Sequence, residues 1–189
     1  MANYPISSTR VITTHDPESG KAVFEQNVDS SVPFEKFPVP TGRPPTSDYA
    51  LAYSTTTFPV QGLSPSTNQD VEQYKSSLQN LSPLNPDGGT ACTIVEMPYG
   101  NDIAMNRTFS LDYGVVIDGT TELVLDSGEK KTLRKGDVFI QRGIAHAWSN
   151  LTKRDDNNGT LRIFFVFQPI DKINVKGGEL DQDLTLGIK

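Results

Sequence analysis

The chain is poor in the residues that most often build reactive or metal-bearing centres. Its 189 residues include one cysteine, two histidines and one tryptophan. A lone cysteine, Cys92, can form neither an internal disulfide nor a cysteine metal cage. It lies in the apolar run ACTIVEM, where a free thiol is expected simply to pack. Positive charge is scarce too. With 17 Lys+Arg against 23 Asp+Glu the net charge is -6, and no basic stripe follows a phosphate backbone, so nucleic acid is not an expected partner. Lys130, Lys131, Arg134 and Lys135 form an interrupted cluster that reads as a solvated hairpin. No apolar run is long enough for a transmembrane helix, so no membrane partner is expected. The opening MANYPISSTR lacks a charged segment followed by an apolar one, which points to a cytoplasmic protein. The sequons at Asn80, Asn106, Asn150 and Asn158 then read as chance matches.

What the chain has in quantity is β-alternation punctuated by turn residues. Short β-prone segments are predicted over 90–97, 106–117, 121–125, 131–133, 137–141, 145–149 and 161–168. Between them stand Pro98-Tyr-Gly-Asn, Asp118-Gly119, Asp126-Ser-Gly and Asp155-Asp-Asn-Asn-Gly. Asp118-Gly119 is a two-residue hairpin signal, because both residues tolerate positive φ. This spacing predicts an all-β sandwich or barrel rather than a βαβ protein. Residues 1–85 read as an N-terminal arm with edge strands (9–14, 21–26, 50–56) and a short helix packed on the barrel. Residues 86–170 form the core, and 171–189 a polar C-terminal arm. Five prolines between Val32 and Pro45 exclude helix and central strand alike. The helix is predicted over 68–80, with Val71, Tyr74 and Leu78 on one stripe.

Alternation also nominates a site. On a strand, residues two apart share a face, so Asn106, Thr108, Ser110 and Asp112 are expected to face one side, as are His146, Trp148 and Asn150. Buried polar groups require partners, so an interior with amides, hydroxyls, a carboxylate, an imidazole and an indole suggests a solvated or ligand-filled cavity. Asp112 beside His146 would make an acid–base pair in which the carboxylate favours imidazolium. The competing reading is a core histidine that is merely hydrogen-bonded, with Asp112 pinning a turn. Trp148 either stacks on a planar ligand or fills the barrel floor. Gln141 stands at the mouth, where its amide can meet a ligand. Arg107 and Tyr113 are expected to point outward. In LRIFFVFQ the set Ile163, Phe165 and Phe167 is placed inward, because Arg162 then faces solvent.

The segments around these residues resemble the two motifs of the cupin superfamily. The first usually runs Gly, five residues, His-x-His, three or four residues, Glu, six residues, Gly; here its positions fall on Gly100, Asn106, Thr108, Asp112 and Gly119. The second usually runs Gly, a few residues, Pro-x-Gly, two residues, His, three residues, Asn; here it falls on Gly136, Gln141, Gly143, His146 and Asn150. The resemblance covers residues 90–168 well and the N-terminal third loosely. It implies a double-stranded β-helix, the jelly-roll cupin barrel, here with an extended N-terminal arm and one or two short helices. A metal-binding cupin holds its ion with three histidines and one carboxylate, and a chain owning only His15 and His146 cannot supply them. An amide and a hydroxyl, as at Asn106 and Thr108, are poor ligands for the softer transition metals. A two-histidine, one-carboxylate set would need His15 from the arm. The expectation is a barrel with no catalytic metal and no cofactor.

Within the superfamily, the run NRTFSLDY is similar to small single-domain members, some of which serve fungal secondary metabolism. Among those are the metal-independent hetero-Diels–Alderases of tropolone–sesquiterpene (meroterpenoid) biosynthesis. That resemblance implies dehydration of a phenolic or tropolonic alcohol to an o-quinone methide, followed by cycloaddition to an alkene such as a humulene. His146 and Asp112 would be catalytic, and Asn106, Thr108, Gln141, Trp148 and Phe165 would bind a small hydrophobic or aromatic substrate. Two alternatives stand beside it: a metal-dependent cupin dioxygenase, decarboxylase or isomerase, and a non-catalytic barrel that binds a small molecule. The proline-rich arm and the edge strands suggest a homodimer, as is common for cupins.

Overall fold

The computed structural model describes residues 8–37, 46–79 and 88–180. The N-terminal arm carries five short strands, β1 (Ser8–Thr9), β2 (Thr13–His15), β3 (Ala22–Phe24), β4 (Ser31–Val32) and β5 (Glu35–Lys36). The longer β6 (Asp48–Ser54) and the helix α1 (Gln69–Gln79) follow. The barrel continues with β7 (Ala91–Met97), β8 (Asp102–Arg107), β9 (Ser110–Asp118), β10 (Thr120–Leu125), β11 (Lys130–Arg134), β12 (Val138–Arg142), β13 (Ala145–Asn150) and β14 (Leu161–Pro169). A small hairpin of β15 (Asn174–Val175) and β16 (Gly178–Glu179) comes last among the described residues.

Two antiparallel sheets form the barrel. One has six strands in the order β12-β9-β14-β7-β6-β5, the other four in the order β11-β10-β13-β8. Their inner faces supply a shared core, seen in the strict alternation of β14, where Leu161, Ile163, Phe165 and Phe167 are all buried. This is the jelly-roll architecture expected from the sequence. No helix among the described residues is long and apolar enough to cross a membrane.

Helix α1 docks through Val71 and Tyr74, whose hydroxyl donates to the Leu51 carbonyl of β6 at 2.8 Å. Leu78 packs against the same core with partial burial. Asn68, the first residue of the predicted helix, lies outside it at φ 44° and sends its amide to Glu25 of the arm. Residues 38–45, which hold four of the five clustered prolines, and Asn80 at the predicted helix end lie outside the described residues.

Two local expectations are corrected. Segment 106–117 is not one strand: it is interrupted at Thr108 and Phe109, and its halves belong to different sheets. Asp118-Gly119 is not a hairpin either, because β9 pairs with β12 and β14 whereas β10 pairs with β11 and β13. It is a corner where the chain passes from one sheet to the other. Gly119 takes φ +88°, and a Cβ there would stand 2.4 Å from Thr152 Oγ1, so both conformation and space call for glycine. A local turn signal cannot tell a hairpin from a corner, since the difference lies in which distant strand each arm pairs with.

Candidate functional site

The site is built at one end of the barrel by six strand ends. Register sets Gln141 of β12 opposite Asp112 of β9, and Asp112 opposite Phe167 of β14. Directly paired residues of an antiparallel ladder point to the same face, so the three side chains form one inward row. Ser110 lies two residues before Asp112 and shares its face. On the facing sheet, His146 of β13 is flanked by Leu125 of β10 and Asn106 of β8. Only residues 142–144 separate Gln141 from the start of β13, so the two rows lie at the same end. Residues 108–109 join Asn106 and Ser110 there in the same way.

Beneath these rows lies an aromatic floor. Trp148 is 2% exposed and packs against Phe139, centroids 4.9 Å apart, and against Phe165 at 6.2 Å. Phe165 and Phe167 stack at 5.3 Å with only 10° between their planes. A Cβ on Gly114 would stand 2.1 Å from the Phe139 ring, so this glycine is the space that the ring occupies. Each tilted or stacked aromatic pair adds about 0.5–1.5 kcal/mol beyond the area it buries, which makes the floor rigid. Trp148 thus fills the floor, while its T-shaped contact with His146 (6.2 Å) joins it to the polar row above.

That polar row contains groups with nothing in the protein to bind. Ser110 Oγ, Asp112 Oδ1 and both polar atoms of Gln141 are buried without a hydrogen-bond partner. Asp112 is 1% exposed and Gln141 2%. An unpartnered buried polar group costs roughly 1–3 kcal/mol, so three neighbours in that state mark a place where the fold gives up stability. Thr93 Oγ1, on β7 opposite Phe165, is a further unpartnered buried atom on the same sheet. Sequence reasoning did not select Thr93, and it placed Ser110 on the inward face with Asp112 without giving it a role. For Ser110 the signal was present in its spacing from Asp112, whereas Thr93 becomes visible only through the pairing of β7 with β14.

Burial sets the electrostatics. Desolvation pushes the Asp112 carboxyl up to about 6; the nearby Ser110 hydroxyl, outside hydrogen-bonding geometry, pulls it back only in part. His146, 6% exposed, is pushed below the ordinary imidazole value by burial, against a smaller upward pull from the Ile144 carbonyl. This reverses the expected coupling, because no carboxylate holds His146 as imidazolium. A carbonyl only accepts, so Nδ1 carries the hydrogen in its 3.1 Å contact with Ile144 O, and Nε2 is the basic nitrogen of a neutral ring. The pair can thus supply a carboxylic acid and a neutral base together.

The remaining nominated residues are also placed. Thr108 is buried in the link between β8 and β9. Asn106 is only partly buried, and its amide donates to the Ala104 carbonyl at 3.0 Å, which sets it at the rim. Arg107 points away to an ion pair with Asp126 at 3.1 Å, and Tyr113 is exposed on the outer face. Asn150 shares the face of His146 but lies at the opposite end, where its hydrogen bonds are filled. The three-histidine, one-carboxylate metal set does not fit these donors. Asp112 and His146 are the only strong ligands of the four motif positions, and His15 lies exposed on the arm hairpin opposite Ala22. No group of three or more His, Cys, Asp or Glu that could hold a metal gathers among the described residues.

No family model matches the chain. Individual relatives do. The phomopsin biosynthesis cluster protein C′ of Diaporthe leptostromiformis is 43% identical over 180 residues, spanning 95% of this chain and 87% of that protein. The oryzines biosynthesis cluster protein J of Aspergillus oryzae is 33% identical over 175 residues, spanning 93% and 90%. The cupin-domain-containing oxidoreductase srdB of Neurospora crassa is 31% identical over 175 residues, spanning 93% and 80%.

Proposed function

The chain belongs to the cupin-domain-containing proteins, and on that premise we propose that it is an enzyme of fungal secondary-metabolite biosynthesis, working by proton transfer inside its barrel. The observation that carries this reading is a raised carboxyl, Asp112 on one sheet, and a buried imidazole of lowered basicity, His146 on the facing sheet, at the same end of the barrel over an aromatic floor. Relatives named for phomopsin and oryzines biosynthesis clusters support the metabolic setting. In its finer form the reaction is loss of water from a phenolic or tropolonic alcohol, then hetero-Diels–Alder cyclisation of the o-quinone methide with an alkene.

The steps balance without an added reagent. Asp112 donates its proton to the benzylic-type hydroxyl, which leaves as water as the C–O bond breaks. Nε2 of His146 takes the proton of the ring hydroxyl, whose electrons form the new carbonyl. The product is a neutral o-quinone methide, and Asp112 and His146 recover their starting states by proton exchange. Cycloaddition then forms one C–C and one C–O bond with no proton transfer. For that step the rings of Trp148, Phe165 and Phe167 hold two apolar partners in register. Exclusion of bulk water protects the intermediate from rehydration.

The test is incubation of purified protein with o-hydroxybenzyl alcohol and an electron-rich alkene, followed by chromatographic detection of the chroman. Formation above the uncatalysed background that is lost in Asp112→Asn and His146→Ala supports the reading. Wild-type rates in both variants would remove these residues from the mechanism. Probe recovered unchanged would favour a binding barrel. The oxidoreductase name of the Neurospora crassa relative favours a second reading, a metal-dependent cupin. Stoichiometric iron, manganese, nickel or zinc held at His146 in the purified protein would replace the first reading with that one.

A further inference from the structure

We infer that Gln141, with Ser110 beside Asp112, is the specificity element of the barrel interior. It selects a neutral planar ligand whose edge carries a hydrogen-bond acceptor next to a donor, as in a carboxamide or a hydroxy-ketone. The inference rests on the proposed location of the substrate in the barrel but not on the reaction assigned to it.

Three observations carry it. Gln141 is 2% exposed, yet neither its amide nitrogen nor its carbonyl oxygen has a partner in the protein. A carboxamide offers an N–H donor and a C=O acceptor on one edge, so the complementary ligand must present an acceptor and a donor side by side. The ladder register places this amide directly beside the Asp112 carboxyl, with the unpartnered Ser110 hydroxyl two residues along. A carboxamide and a hydroxyl each both donate and accept, so the wall suits a neutral polar edge better than an anion, which Asp112 repels when ionised. Third, the Phe165–Phe167 stack lies in the adjacent strand, with Phe167 paired opposite Asp112. A ligand whose edge meets the amide and Asp112 thus finds the Phe139 ring two residues along the same strand and the Phe165–Phe167 stack one strand beyond Asp112, which calls for a planar body. Sites built to hydrogen-bond a ligand reject analogues lacking that group, because the buried polar atoms are then left unpaired.

The single tryptophan, Trp148, is part of the floor, so its fluorescence reports occupancy without any need for turnover. Benzamide, tropolone, benzoate and toluene would be titrated into wild-type protein and into Gln141→Leu, with EDTA present. Wild-type protein is expected to bind benzamide and tropolone at least tenfold more tightly than toluene and benzoate at pH 7. Gln141→Leu is expected to lose that preference, binding toluene as well as or better than wild type. Thermal unfolding supplies a readout that a merely structural glutamine would move the other way. Removing an unpartnered buried amide should leave the melting temperature of the ligand-free protein unchanged or higher, whereas loss of a structural amide would lower it. Equal binding of toluene and benzamide by wild type, an unchanged preference in Gln141→Leu, or a variant that is destabilised or unfolded would each overturn the inference. His146→Ala keeps the two proposals apart: it should lose turnover of the alcohol yet retain the preference for benzamide over toluene. Binding selectivity without turnover would thus leave the specificity wall standing and the reaction refuted; turnover without selectivity would do the reverse.

Discussion

Two buried amides at opposite ends of the barrel divide its labour. Asn150, at one end, is saturated. Its nitrogen reaches the carbonyls of Met97 (2.8 Å), Pro98 (3.0 Å) and Gly159 (2.8 Å), and its oxygen accepts from the Thr152 N–H at 2.8 Å. Thr152 in turn bridges to both backbone atoms of Thr120. Gln141, at the other end, binds nothing in the protein. Both are short-chain carboxamides on inner barrel faces, and their difference separates a polar group that holds the fold from one that the fold holds out for a ligand. Natural interiors tolerate few unpaired polar groups, and here Ser110, Asp112 and Gln141 gather where the acid and the base lie.

The largest effect that tests this contrast is on catalysis. Asp112→Asn should lower turnover of an alcohol substrate by about 10²–10⁴-fold, the span a positioned general acid contributes, as measured by single-turnover kinetics. The same variant should be more stable than wild type at pH 7. The carboxyl is raised from 3.8 to about 6, so its contribution is complete below the unfolded value and is lost as pH rises toward 6. Removing the ionised group should therefore return up to about 3 kcal/mol in denaturant titrations at pH 7, and nothing near pH 3. His146 has the opposite sign: its depressed value makes its contribution present at high pH and lost as pH falls below the ordinary imidazole range.

At the Asn150 end, Asn150→Ala should cost about 2–4 kcal/mol in the same titrations, because it strands three carbonyls and a backbone N–H. An equal cost from Gln141→Leu would break the comparison. Gly114→Ala should cost about 1–3 kcal/mol, since the new methyl would displace the Phe139 ring and, through it, Trp148. A shifted tryptophan emission spectrum would report that displacement. Smallest and most easily read is the pH profile. The acid must be protonated, so kcat/KM should fall about tenfold per pH unit above about 6 and level off on the acid side until His146 is protonated. A profile flat from pH 5 to pH 8 would exclude Asp112 as the proton donor.

Much of this protein can be read without coordinates. Alternation and turn spacing determine an all-β barrel, because side-chain period and backbone turn chemistry are local properties. The histidine count removes a three-histidine metal set by arithmetic. The set Ile163, Phe165 and Phe167 is buried on the inner face, as the outward pull of Arg162 suggests. Tertiary structure alone decided the rest. Thr108 and Phe109 break what reads as one strand, so Asn106 and Asp112 belong to different sheets. Burial, rather than the neighbouring carboxylate, decides the charge of His146. Nothing in the local sequence distinguishes the saturated amide of Asn150 from the open one of Gln141, because a hydrogen bond is satisfied by whatever the fold brings from 53 residues away, as Met97 is brought to Asn150.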